Sequence, residues 1–420
     1  MSNKSDLIVG LDIGTTKICA VVGELQDSGF VDIVGVGESD STGLRKGVVV
    51  NIEQTVQSIR KAVENAELMA GCEINAVYVG IAGSHIMGFN SHGIIAVKGG
   101  EVSGHDVERA IDAARAVPIP DDREVIHILP QEYIVDKQRG IADPLGMAGV
   151  RLEVKVHIVT GAVSSAQNII RSCRRGGLEV ADIALESLAS AKAVLTEEER
   201  EIGVALVDLG GGTTDIAIFA NDAIKHTEVL SIGGKNLSKD ISVGLRTPVG
   251  SAERIKIKYG CALADMVRTN EFIEVPSVGG RESRRLSRQI LAEICEPRME
   301  EILYLVDQTL IKSGYKELIG AGVVLTGGAS LICGCQDLGE QIFNLPTRLG
   351  YPRDVGGLKD VVNSPKYSTA VGLLRYGAER EAGGQKRFDA RGSETGFFNT
   401  ETGFFNTVLS RMKQWFRDVS

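Results

Sequence analysis

Short apolar runs separated by glycine turns open the chain and predict β-strands. Three such runs occupy residues 7–37, and Gly14 and Gly29 mark the turns between them. Residues 203–232 repeat this three-strand plan. Helical patterns lie between and after the two units, so the chain is predicted to form an α/β fold with two related halves.

Apolar residues at helical spacing predict several helices. Asn51 can cap a helix that Gly71 ends. Residues 184–194 are rich in small side chains, which allow close helix packing at a hinge between lobes. Pro297 is expected to kink or break the run at 287–311. Residues 365–376 are predicted to form the last helix of the folded body.

The stretch 85–161 fits neither half. It predicts two strands, a helix from Ser103 to about Val117, and two further strands near 125–129 and 152–159. This combination indicates a small inserted α+β subdomain. Residues 235–312 are helix-rich and basic, and Arg281, Arg284, Arg285 and Arg288 lie close together there.

Composition narrows the class of protein. The 420 residues exceed one typical core, and 43% hydrophobic with 24% charged residues is ordinary for a soluble multidomain protein. A net charge of −9 argues against general nucleic-acid binding. The seven cysteines, an odd number, favour reduced thiols in the cytoplasm. Cys333 and Cys335 resemble a metal pair, but no second pair lies nearby, so a structural role is favoured.

The two glycine hairpins carry the candidate chemistry. Glycines without a Cβ let backbone amides approach phosphate oxygens, while threonine hydroxyls and Lys17 supply further donors. Asp12 and Asp208 each end a strand before a hairpin, and two carboxylates suit Mg²⁺ that keeps most of its water shell. The predicted phosphate-binding residues are Gly14, Thr15, Thr16, Lys17, Gly210, Gly211, Gly212, Thr213 and Thr214, with a third glycine turn at Gly327 and Gly328.

Two further segments are candidates for the same site. Ser251 is predicted to cap a helix on which Glu253 and Lys256 share a face and could flank a ribose or adenine; the alternative is an ordinary surface ion pair. Glu186, at the start of the 184–194 helix, could orient a water toward a γ-phosphate, or serve as a helix-cap carboxylate.

The end of the chain changes character. Residues 378–407 are rich in charge, Gly, Ser and Thr, which predicts a disordered linker, and residues 394–407 are a tandem duplication. Residues 408–420 predict an amphipathic helix that lies on an anionic membrane surface, rather than one docked on the protein's own core. Its apolar face comprises Val408, Leu409, Met412, Trp415, Phe416 and Val419.

Taken together, these motifs resemble the actin/Hsp70/sugar-kinase superfamily. The resemblance rests on the two hairpins, the 186–194 helix, the turn at 326–329 and the segment 367–374, and it covers most of residues 7–376. The segments 130–133, 275–281 and 296–298, the insertion and the amphipathic end are similar to the FtsA family of bacterial cell-division proteins.

The FtsA resemblance implies a two-lobed actin-like fold with an inserted subdomain 1C and a C-terminal amphipathic helix. The implied boundaries are 1–84 with 162–199 and 364–377 for subdomain 1A, 85–161 for 1C, 200–236 with 310–363 for 2A, 237–309 for 2B, 378–407 for the linker and 408–420 for the membrane helix.

The resemblance also implies ligands and partners. ATP would lie between the lobes with Mg²⁺ near Asp12 and Asp208, and Gly234 would join the nucleotide-binding residues. Hydrolysis in the family is weak, so at most a weak ATPase is implied. Subdomain 2B would receive the acidic C-terminal peptide of the tubulin-like protein FtsZ. The candidate contacts are Arg285, Arg288 and Arg298, which could instead form a solvated basic face.

Further expectations follow from the same resemblance. The chain would polymerise on the cytoplasmic face of the inner membrane at the septum, tether FtsZ there, and recruit later division proteins through residues 85–161. The alternatives are a small-molecule kinase, a chaperone-like ATPase or a pilus-assembly ATPase. Residues 85–161 supply no evident kinase site, and no peptide-binding β-domain follows residue 376 in the sequence.

Overall fold

The computed structural model describes residues 7–26, 29–279 and 281–382. In chain order its strands are β1 (Leu7–Ile13), β2 (Lys17–Leu25), β3 (Val31–Asp40), β4 (Leu44–Arg45), β5 (Val48–Val49), β6 (Ala76–Ile81), β7 (Met87–Ala96), β8 (Arg123–Val135), β9 (Gln138–Ile141), β10 (Arg151–Ala162), β11 (Glu179–Leu185), β12 (Val204–Leu209), β13 (Thr214–Ala220), β14 (Ala223–Leu230), β15 (Phe272–Val275), β16 (Arg284–Ser287), β17 (Gly322–Thr326), β18 (Thr347–Leu349) and β19 (Val355–Gly357). Its α-helices are α1 (Ile52–Ala70), α2 (Gly104–Arg115), α3 (Val163–Gly176), α4 (Glu186–Val194), α5 (Glu197–Ile202), α6 (Gly234–Gly244), α7 (Val249–Tyr259), α8 (Arg288–Ser313), α9 (Cys335–Phe343) and α10 (Ser368–Ala382).

Two sheets of the same topology form the two lobes. The first has the order β11-β6-β1-β2-β3-β19 and the second β14-β13-β12-β17-β18. In each, three consecutive strands pair antiparallel, and the first of the three also pairs parallel with a later strand. The repeated three-strand plan is therefore confirmed as two related halves. The central strands β1 and β12 are apolar and buried along almost their whole length because helices cover both sheets.

The inserted domain has its own sheet, β7-β10-β8-β9, and a core shared with α2. The predicted helix is present with Ser103 as its cap. The two strands expected before it are one continuous strand, β7, because its whole length pairs with β10. The predicted α+β insertion is thus confirmed, with one fewer strand at its start.

Helix ends agree with prediction where local signals act alone. Asn51 caps α1 through its side chain, and Gly71 ends the helix in the left-handed conformation, with φ 67°. The prediction for Ser251 is wrong: α7 begins at Val249 after Pro248, and Ser251 lies inside the first turn. Proline fixes the backbone dihedral that precedes the helix, so the start shifts towards it.

Two other predicted boundaries need correction. Of the two outcomes predicted at Pro297, a break is wrong: α8 continues through the proline, because both halves of this helix are anchored by buried side chains whose packing offsets one lost hydrogen bond. The last helix, α10, reaches Ala382, so the predicted linker cannot begin at residue 378; Ala378 is buried. The tandem repeat and the predicted membrane residues, Val408 to Val419, lie outside the described residues.

Candidate functional site

The two glycine hairpins meet face to face between the lobes. The β1–β2 turn carries Thr15 and Thr16, and the β12–β13 turn carries Gly211 and Gly212. A Cβ on Gly211 would stand 1.9 Å from Thr16 Oγ1, and one on Gly212 would stand 2.6 Å from Thr15 Oγ1. Side chains at these two glycines would therefore force the hairpins apart, which is why the turns need glycine.

The two strand-end aspartates lie in the same buried space behind the hairpins. Asp12 and Asp208 are 8% and 7% exposed. Burial raises the pKa of Asp12 to about 6, and the Asp208 carboxylate adds to the rise while Lys17 opposes it. The structure thus brings together the two carboxylates predicted to hold a metal ion, at a distance where their charges repel.

Hydroxyls from the first lobe orient Asp208, which belongs to the second. Ser190 on α4 donates to Asp208 Oδ2 at 2.7 Å, and Thr369 on α10 donates to the same oxygen at 3.1 Å. These hydrogen bonds join the lobes behind the hairpins. These bonds leave the other oxygen, Asp208 Oδ1, facing Gly327. A Cβ on Gly327 would stand 2.2 Å from that oxygen.

Glu186 also faces this carboxylate cluster. It is the first residue of α4, and no side chain caps that helix by a hydrogen bond. Burial raises the pKa of Glu186 well above its usual value, and the nearby carboxylates of Asp12 and Asp215 raise it further. Its position in the first turn of α4 also places a carboxyl group beside the other carboxylates of the cleft, so both predicted roles stay open.

Sequence reasoning missed Asp215, which pairs in register with Asp208 across β12 and β13. Thr213 Oγ1 donates to Asp215 Oδ2 at 3.0 Å, while the buried Oδ1 has no hydrogen-bond partner among the described residues. Burial, and then the charge of Asp208, raise the pKa of Asp215 to about 8. The available signal was a single carboxylate at the start of an otherwise apolar strand.

Lys17 is engaged inside the first lobe. Its Nζ donates to the Lys366 carbonyl at 2.7 Å, lies 3.6 Å from Glu38 Oε1, and stands 4.5 Å from the centre of the Tyr367 ring. Lys235, which the sequence did not single out, instead crosses the cleft from α6. Its Nζ donates to the Thr15 carbonyl at 2.5 Å. A cation therefore already bridges the two lobes at the hairpins.

The predicted adenosine residues also converge. Lys256 Nζ contacts Glu253 at 2.9 Å and the Gly234 carbonyl at 3.2 Å. A Cβ on Gly234 would stand 3.2 Å from both Lys256 Nζ and the Ala329 side chain, next to Gly328. The Glu253–Lys256 ion pair on α7 therefore lies against α6 and the turn Gly328–Leu331. Together these three elements form the candidate adenosine wall of the cleft.

The arrangement fits a magnesium-bound polyphosphate better than a free metal ion. Among residues 7–26, 29–279 and 281–382, no group of three or more His, Cys, Asp or Glu side chains could hold a metal by itself. Mg²⁺ commonly uses one or two protein carboxylates and completes its shell with waters and phosphate oxygens. Thr16 Oγ1 is buried without a hydrogen-bond partner in the described part of the chain, so it has a donor to offer. Thr214 Oγ1, by contrast, already donates its hydrogen to the Ile232 carbonyl at 2.9 Å.

The three candidate arginines of the basic region differ in their environments. Arg288 pairs with Glu271 at 2.6 Å, and Arg298 pairs with Asp240 at 2.5 Å. Arg285 is exposed on β16, where its guanidinium lies 4.5 Å from the centre of the Phe272 ring. Arg288 and Arg298 therefore contribute to the domain's own structure, and Arg285 presents its charge outward.

Comparison with known proteins decides the family. The family model for the cell division protein FtsA matches residues 205–372, and that for the SHS2 domain inserted in FtsA matches residues 83–160. The chain is 54% identical over 409 residues to the cell division protein FtsA of Pseudomonas aeruginosa, covering 97% of each. The chain belongs to the FtsA family. The FtsA of Escherichia coli K12 is 43% identical over 392 residues, which cover 92% of this chain and 93% of that protein.

Solved structures support the actin-like fold of this FtsA family member. A PilM–PilN type IV pilus biogenesis complex aligns with a TM-score of 0.64 at 16% identity, covering 88% of this chain and 98% of that one. MreB5 of Spiroplasma citri bound to AMPPNP aligns with a TM-score of 0.55 at 15% identity, covering 91% and 98%. At these identities the likeness concerns the fold alone.

None of the helices within residues 7–26, 29–279 and 281–382 combines the length and the hydropathy of a membrane span.

Proposed function

We propose that this FtsA family member binds Mg²⁺-ATP between its lobes and acts in cell division as a polymerising adaptor that tethers FtsZ to the membrane. One observation carries the nucleotide proposal: two glycine hairpins, each preceded by a buried aspartate, meet face to face. Backbone amides of both turns would hold phosphate oxygens, and Asp12 and Asp208 would hold Mg²⁺ through its waters. The metal would neutralise phosphate charge in the cleft.

The surrounding residues support distinct roles in binding. Thr16 would donate its unused hydroxyl to a phosphate oxygen. Glu253 and Lys256 would flank the ribose or adenine, with Gly234 and Gly328 leaving room beside them. Glu186 would stand near the terminal phosphate and orient a water toward it, for a weak ATPase at most.

Calorimetry of Mg²⁺-ATP binding tests this proposal. Asp208→Asn removes a charge from the metal site while keeping the size of the side chain, so affinity should fall at least about tenfold, or about 1.4 kcal/mol. Asp337→Asn is the matched control, since Asp337 is an exposed first-turn residue of α9 and should leave affinity unchanged. Equal affinity of wild type and Asp208→Asn, or no binding by wild type, would overturn the nucleotide proposal.

The membrane part of the proposal rests on the sequence of residues 408–420. An amphipathic helix with Trp415 and Phe416 on one face and basic residues on the other binds an anionic surface weakly alone. A polymer that carries many copies would bind far more tightly through effective concentration.

Co-sedimentation with anionic liposomes, with and without ATP, tests the anchor. Deleting residues 408–420 should abolish sedimentation while ATP binding survives. Equal sedimentation of the truncated protein would remove the anchor.

The FtsZ contact is best tested at Arg285. Because this guanidinium is exposed and packs on Phe272, Arg285→Glu should weaken binding of the acidic FtsZ C-terminal peptide without unfolding the domain. Arg288 and Arg298 remain candidates, but their substitution also breaks ion pairs with Glu271 and Asp240. Fluorescence anisotropy with the labelled peptide measures the change, and thermal unfolding separates contact from stability. Unchanged affinity of Arg285→Glu would exclude this contact.

Recruitment of later division proteins through residues 85–161 draws support from a cavity at the edge of the inserted domain. A cavity of about 140 Å³ lies between β8, α4 and α10, with Leu129 and Pro130 on one side and Leu188 and Tyr376 on the other. Its apolar walls suit a single apolar side chain of a partner, since the cations beside it already pair with carboxylates of this chain: Lys192 with Glu379, Arg200 with Asp222 and Arg380 with Asp182.

A further inference from the structure

Cys261 and Cys333 lie side by side in the second lobe, although they are far apart in the sequence. Cys261 follows α7, and Cys333 follows the turn Gly328–Leu331. The two residues form an isolated parallel β-bridge, and Ala262 N donates to the Cys333 carbonyl at 2.7 Å. Cys333 is exposed, whereas Cys261 is buried at 1% exposure. One thiol is thus open to solvent and the other lies directly behind it.

The backbone geometry suits a covalent bond between these thiols. Neighbouring strands lie about 4.8 Å apart, inside the range of about 4.4–6.8 Å between the Cα atoms of disulfide-bonded cysteines. Cys261 and Cys333 are partners in a parallel bridge, and the side chains of such partners point to the same face. The bridge therefore brings the two cysteines close enough to make a bond between their sulfurs feasible.

We propose that Cys261 and Cys333 form a reversible disulfide when the protein meets a peroxide or a glutathione-type disulfide. The positive guanidinium of Arg288 opposes the rise that burial causes in the pKa of the Cys261 thiol. Exposure makes Cys333 the first thiol to react, since burial raises the pKa of Cys261.

The reaction balances with hydrogen peroxide as oxidant. The Cys333 thiolate attacks one peroxide oxygen, the O–O bond breaks, and a sulfenic acid and hydroxide form. The Cys261 thiol then attacks the sulfenic sulfur, the S–O bond breaks, and water leaves as the S–S bond forms. Two thiols and one peroxide thus become one disulfide and two waters. A thioredoxin-type dithiol would return both electrons and restore the thiols.

The bridge would join two segments that line the candidate adenosine wall. Glu253 and Lys256 belong to the helix that ends just before Cys261, and Gly327 and Gly328 lie just before Cys333. Fixing the distance between these segments would hinder their separation. This consequence rests on the proposed nucleotide function: the oxidised protein should release ATP more slowly, whereas the disulfide itself depends on the two thiols alone.

Peptide mapping of the full-length protein tests the disulfide. After treatment with hydrogen peroxide, blocking of free thiols and digestion without reductant, we expect a linked pair of peptides containing Cys261 and Cys333. The pair should have lost two hydrogen atoms and separate on adding dithiothreitol. Cys333→Ser and Cys261→Ala should each abolish it, and Cys72→Ser, a change on the first lobe, should retain it.

Three outcomes would overturn the disulfide. The first is a bridge from Cys261 to the buried Cys295, whose thiol also contacts the Cys261 backbone. The second is a Cys333–Cys333 bridge between two molecules. The third is oxidation of Cys333 without any bridge. Thermal unfolding of each variant shows that a missing bridge does not come from a misfolded protein.

Release of a fluorescent ATP analogue then tests the consequence. Oxidised wild type should release it at least about threefold more slowly than reduced wild type, and Cys333→Ser should show no such difference. Equal rates in a fully bridged sample would overturn the regulatory effect. Failure of the reduced protein to bind the analogue would instead count against the proposed nucleotide function.

Discussion

Gly211 and Gly212 let the second hairpin approach Thr15 and Thr16 so closely that no other residue type fits. The distance between the two hairpins thus depends on single residues, because a Cβ atom at either glycine would meet the opposite threonine. It also explains how backbone amides from two lobes can face one ligand.

Gly211→Ala tests the fit of the hairpins. The new methyl group would stand 1.9 Å from Thr16 Oγ1 and 2.9 Å from Thr16 Cβ, so the hairpins must separate. We expect a loss of about 1–3 kcal/mol in the free energy of unfolding, together with weaker Mg²⁺-ATP binding. Urea unfolding and calorimetry measure the two effects.

Gly250→Ala is the matched control for this change. A Cβ on Gly250 meets nothing within 4 Å, and the residue lies in α7, where alanine is favoured. It should keep ATP affinity and leave stability equal or higher. A Gly211→Ala protein that behaves like this control would contradict the close approach of the two turns.

At the scale of elements, α4 and α10 form the connection between the lobes. Their backbones touch: a Cβ on Gly372 would stand 1.8 Å from the Ala189 carbonyl oxygen. The same helices supply Ser190 and Thr369, which hold Asp208. Small residues thus bring the helices together, and the contact sets the position of a metal-site carboxylate.

Gly372→Ala should therefore reduce stability and nucleotide affinity together. The clash is with backbone, which cannot rotate away, so we expect a loss of about 2 kcal/mol or more in the free energy of unfolding. Urea unfolding gives the first value and calorimetry the second. A normal affinity in a destabilised protein would show that α10 does not position Asp208.

At the scale of the whole molecule, the inserted domain is held against the second lobe by side-chain hydrogen bonds. Gln131 Nε2 donates to the Ile224 carbonyl at 2.8 Å, and His157 Nε2 lies 2.8 Å from Thr227 Oγ1. His157 Nδ1 lies 2.7 Å from Asn90 Oδ1, so the neutral ring donates to Asn90 and accepts from Thr227. Burial of the ring disfavours its charged form and so favours this neutral pattern.

This contact predicts a pH dependence of stability. Burial, with a smaller effect from the charge of His226, lowers the pKa of His157 to about 3, below the usual 6.5. The unfolded chain therefore binds the extra proton first, and stability falls as pH drops from about 6.5 towards 3, by up to about 1.4 kcal/mol per pH unit.

Urea unfolding at pH 7 and pH 5 measures this dependence. His157→Gln cannot take up a proton, so its free energy of unfolding should decline less steeply than that of wild type between these pH values. Parallel pH profiles would show that His157 does not contribute.

Prediction from sequence succeeded where neighbours along the chain decide the outcome. The hairpins, the repeated strands and the ends of α1 depend on alternation, on glycine turns and on caps a few residues away. It failed at Ser251, where an adjacent proline outweighs the local signal, and in allowing a break at Pro297, where packing keeps the helix continuous.

The sequence alone determined the two Asp-tipped hairpins, the inserted α+β domain and the small-residue helix α4, since each is encoded in a continuous run of residues. The tertiary structure decided which groups meet. Lys235 across the cleft to Thr15, and Cys261 against Cys333, are contacts between chain segments that only the folded protein brings together. The spacing of residues along the chain does not predict such contacts, because they depend on how separate elements pack.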